Sequence, residues 1–398
     1  MIVIEKTQVK NLINRVGMML FILAVYILGC TVPVPLARVS ATFRHVLAHT
    51  SVGIMSFMSG GNFQRLSLFM VGLNPLMIAM LIIQLLTMLR LFYFDTLSMN
   101  QLMKIQQWLT LGFAIIQSTA VTLGLKITTG TLDSLAVILM LTAGSMFVVW
   151  LGNMNMKFGI GGTITLILFN IISGSIPTLL RSIKMLAKQS YGPLWLFLAA
   201  IAGCIVLVFW VSFNRAYYPL KMINTSMSSH DRPIILPIGL NMGAMMTYMV
   251  GMSLLMVPTL LANVLGPGSL FANPYFNMVV SGILAFVLFY FFTFVQFDPK
   301  AQAKAMLQGN NYILGVRPGE PTRKYLRQIL LHVSFLGALL NAIQLSFGLL
   351  GGQVLGNFAG LAIIPMNMIM IVMFMQGIKD QLLVLLFPLK YDKLMKEE

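Results

Sequence analysis

Apolar residues come in blocks of about twenty along this chain, and short polar segments separate the blocks. The hydrocarbon core of a bilayer needs roughly twenty apolar residues per helix. The pattern therefore predicts an all-α polytopic membrane protein with ten transmembrane helices. We place these spans at about 16–34, 66–89, 107–125, 134–152, 163–180, 191–213, 238–262, 276–296, 329–350 and 359–378.

Two stretches near the first span depart from this pattern. Residues 36–65 are too polar to cross a membrane and too apolar for an ordinary loop, and Gly60-Gly61 favours the end of a short helix. Irregular backbone at membrane depth is tolerated where protein covers it or where it lines a cavity. The stretch is predicted to be re-entrant, with an interfacial surface segment as the alternative. In the second span, Asn74-Pro75 predicts a break in the helix.

The distribution of charge predicts how the chain is oriented. Of 398 residues, 58% are hydrophobic and 9% are charged, and the formal net charge is +16. If both termini lie in the cytoplasm, the cytoplasmic segments hold 19 of the 26 Lys and Arg residues. This asymmetry predicts cytoplasmic N and C termini by the positive-inside rule. It also explains most of the net charge without a nucleic-acid partner, and membrane lipids are the expected surroundings.

The predicted spans lack the groups that transport coupling or catalysis would need. They contain no Asp or Glu, whereas ion-coupled carriers usually keep an ionisable group at mid-membrane. His45 and His49 have metal-ligand spacing but no carboxylate nearby, and Cys30 and Cys204 lie in apolar stretches. The GxxxxGK[ST] pattern of ATP-binding loops is missing. We expect no catalytic residue, cofactor or metal, and a conduit is favoured over a secondary transporter or an intramembrane enzyme.

Uncharged polar residues do occur in the spans. Such side chains hydrogen-bond across helix interfaces in lipid. They are consistent with static contacts between helices, and equally with a seam that opens. The residues are Gln84, Thr87, Gln117, Asn170, Asn241, Gln344 and Asn367.

The most polar loop follows the eighth span. Residues 297–327 hold six Lys or Arg residues, and 315–326 read GVRPGEPTRKYL. Prolines and glycines that fix a backbone lower the entropy cost of docking, and exposed cations suit an acidic partner. Taken alone, the segment is also consistent with an orientation signal.

Several stretches, in order along the chain, resemble the SecY family of protein-translocase channels. They are SGGNFQRLSLFMVGLNPLMIAMLIIQLL at 59–86, FGIGGTITLILFNIISGSIP at 158–177, YYPLKMIN at 217–224, FDPKAQAKAMLQGNNYILGVRPGEPTRKYL at 297–326 and NFAGLAIIP at 357–365. The resemblance implies two pseudo-symmetric five-helix halves, 1–185 and 186–398, around an hourglass channel. The segment at about 40–60 would be a re-entrant plug helix.

The same resemblance implies roles for residues inside the membrane. A lateral gate between the halves would hold Gln84, Thr87, Gln117 and Asn241. The resemblance also implies an apolar pore ring at the channel waist. For its residues, lipid-facing positions or ordinary core packing are the alternative. That ring would consist of Leu73, Met77, Leu81, Leu168, Ile172, Ala244, Tyr248, Leu361 and Ile364.

Partners also follow from the resemblance. Loops 215–232 and 297–327 of SecY relatives receive a SecA-type motor ATPase or the ribosome, and Arg317 matches the arginine of the family loop motif. Small SecE- and SecG-like membrane subunits and a preprotein substrate are further expected partners. The docking residues would be Arg317, Pro318, Gly319, Arg323, Lys324 and Lys221.

Two departures from the family pattern narrow the expected subtype. Gly159–Thr163 read GIGGT where the family usually has GIGNG, and 215–232 lacks a dense basic run. The chain thus resembles the accessory SecY of Gram-positive bacteria. That implies a plasma-membrane channel, a dedicated accessory SecA and export of serine-rich adhesins, often glycosylated. The general housekeeping SecY is the alternative.

Overall fold

The computed structural model describes residues 6–36, 67–88, 97–124, 130–188, 192–224, 234–248, 273–354 and 359–386. Within this part of the chain the fold is mainly helical, as predicted, with one small sheet. The helices are α1 Lys6–Thr31, α2 Asn74–Met88, α3 Met99–Gly124, α4 Thr131–Phe158, α5 Gly162–Ala187, α6 Gly192–Arg215, α7 Pro274–Gln296, α8 Pro299–Gln308, α9 Glu320–Val354 and α10 Ala359–Leu386. The strands are β1 Tyr217–Asn224, β2 Ile234–Gly239 and β3 Asn311–Ile313.

Seven helices in the described part are long and apolar enough to cross a membrane, and Asn74–Thr87 is a shorter apolar helix. Helix α3 covers the predicted third span, but Lys104 and several glutamines make it more polar. The predicted seventh span, 238–262, is described only as far as residue 248, where a helical segment has begun. The count of ten spans therefore stays a prediction, and the plug at 40–60 lies outside the described residues together with His45 and His49.

The chain divides into two compact units, one of Met1–Arg181 with Met370–Glu398 and one of Ser182–Ile369. The two halves predicted from the sequence, 1–185 and 186–398, remain a prediction.

The first unit confirms the break at Asn74-Pro75. Residues 67–73 form turns and an isolated bridge, and the helix begins at Asn74. The Leu68 N–H donates to Val32 O at 3.1 Å, and Ser145 Oγ on α4 donates to Gly72 O at 2.8 Å. Phe69 stacks on the Tyr26 ring with centroids 5.8 Å apart. The irregular segment is thus held by α1 and α4, which supply partners for its free backbone groups.

The glycine-rich loop between α4 and α5 is held by side chains of three residues, Asn155, Thr165 and Gln381. Asn155 Nδ2 donates to Ile160 O at 2.9 Å and to Gly162 O at 2.8 Å. On α10, Gln381 Oε1 accepts from the Gly161 N–H at 2.9 Å. These bonds fix the GIGGT segment to two helices of the same unit. None of them uses a side chain at Gly162 or Thr163, where the segment differs from the family pattern GIGNG.

Replacing Asn155 with alanine should lower the free energy of unfolding by about 1–3 kcal/mol. The Gly162 carbonyl loses the Asn155 donor, and the Ile160 carbonyl keeps only the bond from Thr165 Oγ1 at 2.7 Å. Unfolding in mixed detergent micelles measures this. The control is Asn153→Ala on the same helix, where the side chain is exposed and the change should stay below about 0.5 kcal/mol. An equal effect of the two substitutions would contradict the assigned role of Asn155.

In the second unit the two segments expected to be loops form a single folded body. The strand order is β2-β1-β3, with both pairs antiparallel, so residues from 215–232 pair with residues from 297–327. Helix α8 and the start of α9 cover one face of this sheet. We call β1, β2, α8, β3, residues 314–319 and the first turns of α9 the sheet subdomain. Its buried core consists of Leu220, Met222, Ile238, Phe297, Ala303, Met306, Ile313, Leu326 and Leu330.

The strands lie within and next to the connections predicted at 215–232 and 297–327, and their prolines occupy positions that a sheet tolerates. Pro219 and Pro237 face each other in the β1–β2 register. Neither can donate, so the pair lacks mutual hydrogen bonds and the missing N–H of Pro237 falls on the outer edge of β2. Proline at an edge hinders further strand pairing. At the β2 edge the subdomain therefore offers side chains rather than a free strand to a partner.

Candidate docking surface

The cationic loop begins with a tight turn anchored at both ends. The Val316 N–H donates to Ile313 O at 3.2 Å, and Gly315 has φ +79°, as the third residue of a type II turn requires. Ile313 belongs to the buried core, and Val316 packs against it. The two central residues, Leu314 and Gly315, are therefore held away from the subdomain on a fixed backbone.

Arg317 lies directly after this turn, and its backbone is also fixed. Thr322 Oγ1 donates to Arg317 O at 2.8 Å, and Gly319 has φ +96°, a conformation that a residue with a Cβ rarely adopts. The guanidinium is exposed, and within the described part of the chain no carboxylate forms an ion pair with it. Arg317 thus presents an uncompensated charge on an ordered loop.

The other predicted docking residues lie in the same subdomain. Pro318 and Gly319 complete the turn, whereas Arg323 and Lys324 belong to the first turn of α9. Arg323 Nη1 pairs with Glu320 Oε1 at 2.7 Å, so part of its charge is already neutralised. The described part of the subdomain exposes the following cations: Lys221, Lys300, Lys304, Arg317, Lys324 and Arg327.

Three of the four residues predicted for a lateral gate have described side chains, and their surroundings differ. Thr87 Oγ1 donates to Ile83 O of its own helix at 2.8 Å, and Gln117 on α3 is half-buried. The side chain of Gln84 lies outside the described part. Asn241 follows β2 and has partners on two helices of its own unit. A gate formed by these residues stays a prediction.

Asn241 is the centre of a cluster of three asparagines. Its Nδ2 donates to Asn214 Oδ1 at the end of α6, and its Oδ1 accepts from Asn341 Nδ2 on α9 at 2.7 Å. Asn341 Nδ2 also donates to Gly337 O at 2.7 Å. The cluster joins the residues after β2 to α6, which precedes them in the chain, and to α9, which follows them. It is a polar contact inside the second unit.

The residues predicted for the pore ring are mostly buried where the structure describes them. On α2 and just before it, Leu73 and Met77 are buried and Leu81 is half-buried, whereas on α5 Leu168 is buried and Ile172 is exposed. In the other unit the ring residues between β2 and residue 248 are fully buried, namely Ala244 and Tyr248. The side chains of Leu361 and Ile364 lie outside the described part. Whether all nine form one ring is untested.

Sequence reasoning missed several residues of this surface. Leu314 was not singled out because a lone apolar residue in a polar loop has no periodicity to mark it. Thr322 orders Arg317, and Asn214 and Asn341 hold Asn241. Thr322 lies inside the first turn of α9 and donates to a carbonyl before the helix, so the N-cap pattern does not reveal it.

Comparison with known proteins assigns the family. The SecY family model matches residues 67–378. The accessory Sec system protein translocase subunit SecY2 of Lactobacillus johnsonii is 43% identical over 393 residues, covering 99% of this chain and all of that protein. The protein of the same name from Streptococcus oralis is 30% identical over 341 residues, covering 81% and 83%. The protein translocase subunit SecY of Staphylococcus aureus is 24% identical over 374 residues, covering 84% and 85%.

Solved structures agree with this assignment at the level of the fold. The structure of a protein-conducting channel matches with a TM-score of 0.63 at 17% identity, over 95% of this chain and 94% of the other. Sec61 in a canine ribosome–channel complex from the endoplasmic reticulum matches with a TM-score of 0.58 at 16% identity, over 95% and 94%. The chain is therefore a multi-pass membrane protein and belongs to the SecY family.

Proposed function

We propose that this chain is the channel-forming subunit of an accessory Sec translocase that exports unfolded preproteins across the plasma membrane. The observation that carries the proposal is the sheet subdomain with its ordered, exposed Arg317, on a SecY-family chain. The accessory subtype is supported by 43% identity to an accessory SecY2, against 24% to a general SecY. The general housekeeping translocase is the second candidate.

The proposed partners follow from the surface charge. A SecA-type motor ATPase docks on the sheet subdomain, because an ordered cationic surface attracts an acidic one and restricts its orientation. ATP hydrolysis is assigned to that motor, and this chain supplies the path. Small SecE- and SecG-like subunits complete the complex, and serine-rich, adhesin-like glycoproteins are the proposed substrates. The N and C termini lie in the cytoplasm, on the motor's side.

In the proposed mechanism the pore ring and the plug close the channel at rest, and the lateral gate opens it. Apolar side chains of the pore ring exclude ions at rest, since a narrow apolar constriction dewets. The segment at 40–60 closes the outer side as a plug. A signal sequence opens the lateral gate by binding the open state better than the closed one, which shifts the population toward opening.

Reconstitution tests the proposal directly. The purified chain, in proteoliposomes with its small subunits, should raise ATP turnover of an accessory SecA-type motor when a serine-rich preprotein is present. The same vesicles should protect that preprotein from added protease. Stimulation of the general motor alone would favour the housekeeping function, and failure of both motors would contradict the channel function.

A further inference from the structure

Leu314 is the most exposed apolar side chain of the sheet subdomain. It has 70% of its surface accessible, whereas the core residue before it, Ile313, is 5% exposed. An exposed leucine in a membrane span contacts lipid, but Leu314 lies between β3 and α9, in the polar loop. A single exposed apolar residue is common on protein surfaces. What distinguishes Leu314 is its place at the tip of a tight turn, three residues before the exposed Arg317.

The backbone around Leu314 is ordered on both sides. The turn from Ile313 to Val316 closes with a hydrogen bond of 3.2 Å, and both end residues pack on the subdomain core. A side chain held on such a turn loses little conformational freedom when it is buried by a partner. The leucine is therefore suited to enter a pocket of fixed shape.

Arg317 follows Leu314 by three residues, and the two side chains are presented by consecutive turns. Four further exposed cations belong to the same subdomain, Lys300 and Lys304 on α8 and Lys324 and Arg327 on α9. A partner surface that fits must therefore combine an apolar pocket with carboxylates at its rim. Protein interfaces place an apolar anchor at the centre and charged groups around it.

We propose that Leu314 is an apolar anchor that inserts into a carboxylate-rimmed pocket on the motor ATPase and selects that motor, with Arg317 pairing at the rim. This inference rests on the proposed function. A lipid surface is a poorer occupant, because one leucine gives only marginal membrane affinity and needs no fixed turn. The anchor also gives specificity that charge alone does not, since any acidic protein can meet a cationic surface.

The experiment measures binding of the purified accessory SecA-type motor to the translocase in nanodiscs by biolayer interferometry. Leu314→Ser should raise the Kd about tenfold, and Leu314→Met should restore it, because a thioether side chain fills a similar pocket. The matched control is Leu307→Ser at the end of α8, where the leucine is 47% exposed outside the turn. It should change the Kd less than about twofold. Thermal unfolding should be unchanged in all three variants, since both leucines are exposed.

Each outcome decides between the possibilities. An unchanged Kd for Leu314→Ser, beside a weakened Arg317→Glu, overturns the anchor and leaves the proposed docking in place. Wild-type affinity in both variants overturns the docking as well. Equal losses in Leu314→Ser and Leu307→Ser would mean general apolar adhesion and overturn the anchor. If Leu314→Ser leaves motor binding unchanged and weakens only the binding of the translocase nanodiscs to protein-free phosphatidylglycerol vesicles, the leucine contacts lipid and the inference is wrong. A misfolded serine variant is replaced by Leu314→Gln, which is judged by the same criteria.

Discussion

Replacing Arg317 with glutamate is expected to weaken motor binding at least about 30-fold and to stop export, while the protein's abundance in the membrane stays normal. Arg317 pairs with carboxylates beside the pocket of the anchor, and removing one partner of such a charge pair costs about 2 kcal/mol or more. A reversed charge adds repulsion against the partner's carboxylates. The side chain is exposed, and among the described residues Arg317 contributes its backbone carbonyl, as the acceptor for Thr322. The substitution therefore leaves the loop intact.

Lys304→Glu on α8 is the matched control for Arg317→Glu. It makes the same change of net charge on the same subdomain, at another exposed position. A peripheral charge mainly alters the association rate and its salt dependence, so export should continue at a reduced rate. Arg317→Lys should recover part of the binding, because it keeps the charge but not the planar fork of donors.

Interferometry and an export assay in cells together separate the roles of Arg317. If Arg317→Glu and Lys304→Glu weaken binding equally, then net charge alone explains docking and the ordered loop has no special part. Export at the wild-type rate in Arg317→Glu would reduce this residue to an orientation signal. Loss of the protein from the membrane would instead make Arg317 structural.

The helices were predictable because the bilayer imposes a simple length requirement on them. Predicted spans at 163–180 and 191–213 correspond to α5, Gly162–Ala187, and α6, Gly192–Arg215. The break before Pro75 was predictable for an equally local reason, the missing backbone donor. Helix α9 begins at Glu320, well before the predicted span at 329. The prediction missed its first turns because they are polar. Hydropathy detects the apolar part of such a helix only.

The sheet subdomain was not predictable by the same means. Leu220 and Met222 alternate with exposed neighbours, which is a strand pattern, but Pro219 and Pro237 argue against strands. The third strand has three residues and lies nearly ninety residues further along the chain. Pairing over that separation depends on tertiary packing against α8 and α9. The sequence alone offers no local signal for it.

The site was predictable only in part, and for a related reason. The charges of the cationic loop are visible in the sequence, whereas the fixed backbone that presents Arg317 depends on the Thr322 hydroxyl. Asn241 was singled out as a polar residue in a span. Its partners, Asn214 and Asn341, come from 27 residues before and 100 residues after. No rule of spacing connects positions that only the folded unit brings together.

Leu168→Asn on α5 is expected to raise export of a preprotein with a defective signal sequence about tenfold and to make the resting channel conduct ions. Leu168 is 7% exposed in the first unit and belongs to the predicted pore ring. An amide in an apolar constriction retains water, which removes the barrier to ions. A loss of about 1.4 kcal/mol in closed-state stability corresponds to a tenfold shift toward opening.

Leu139→Asn on α4 is the matched control. It makes the same chemical change at an exposed position of a predicted span, where the leucine is 61% exposed. It should lower the amount of inserted protein without conductance. Leu168→Ile should keep the seal, since the ring needs apolar volume rather than a particular branching. Single-channel recording in planar bilayers and an export assay with a weakened signal give the two readouts.

If Leu168→Asn remains silent and as selective as the wild type, Leu168 serves packing within the first unit, and another set of residues must form the seal. Conductance in Leu139→Asn as well would show that any polar substitution in a span causes leakage, and the ring would lose its special position.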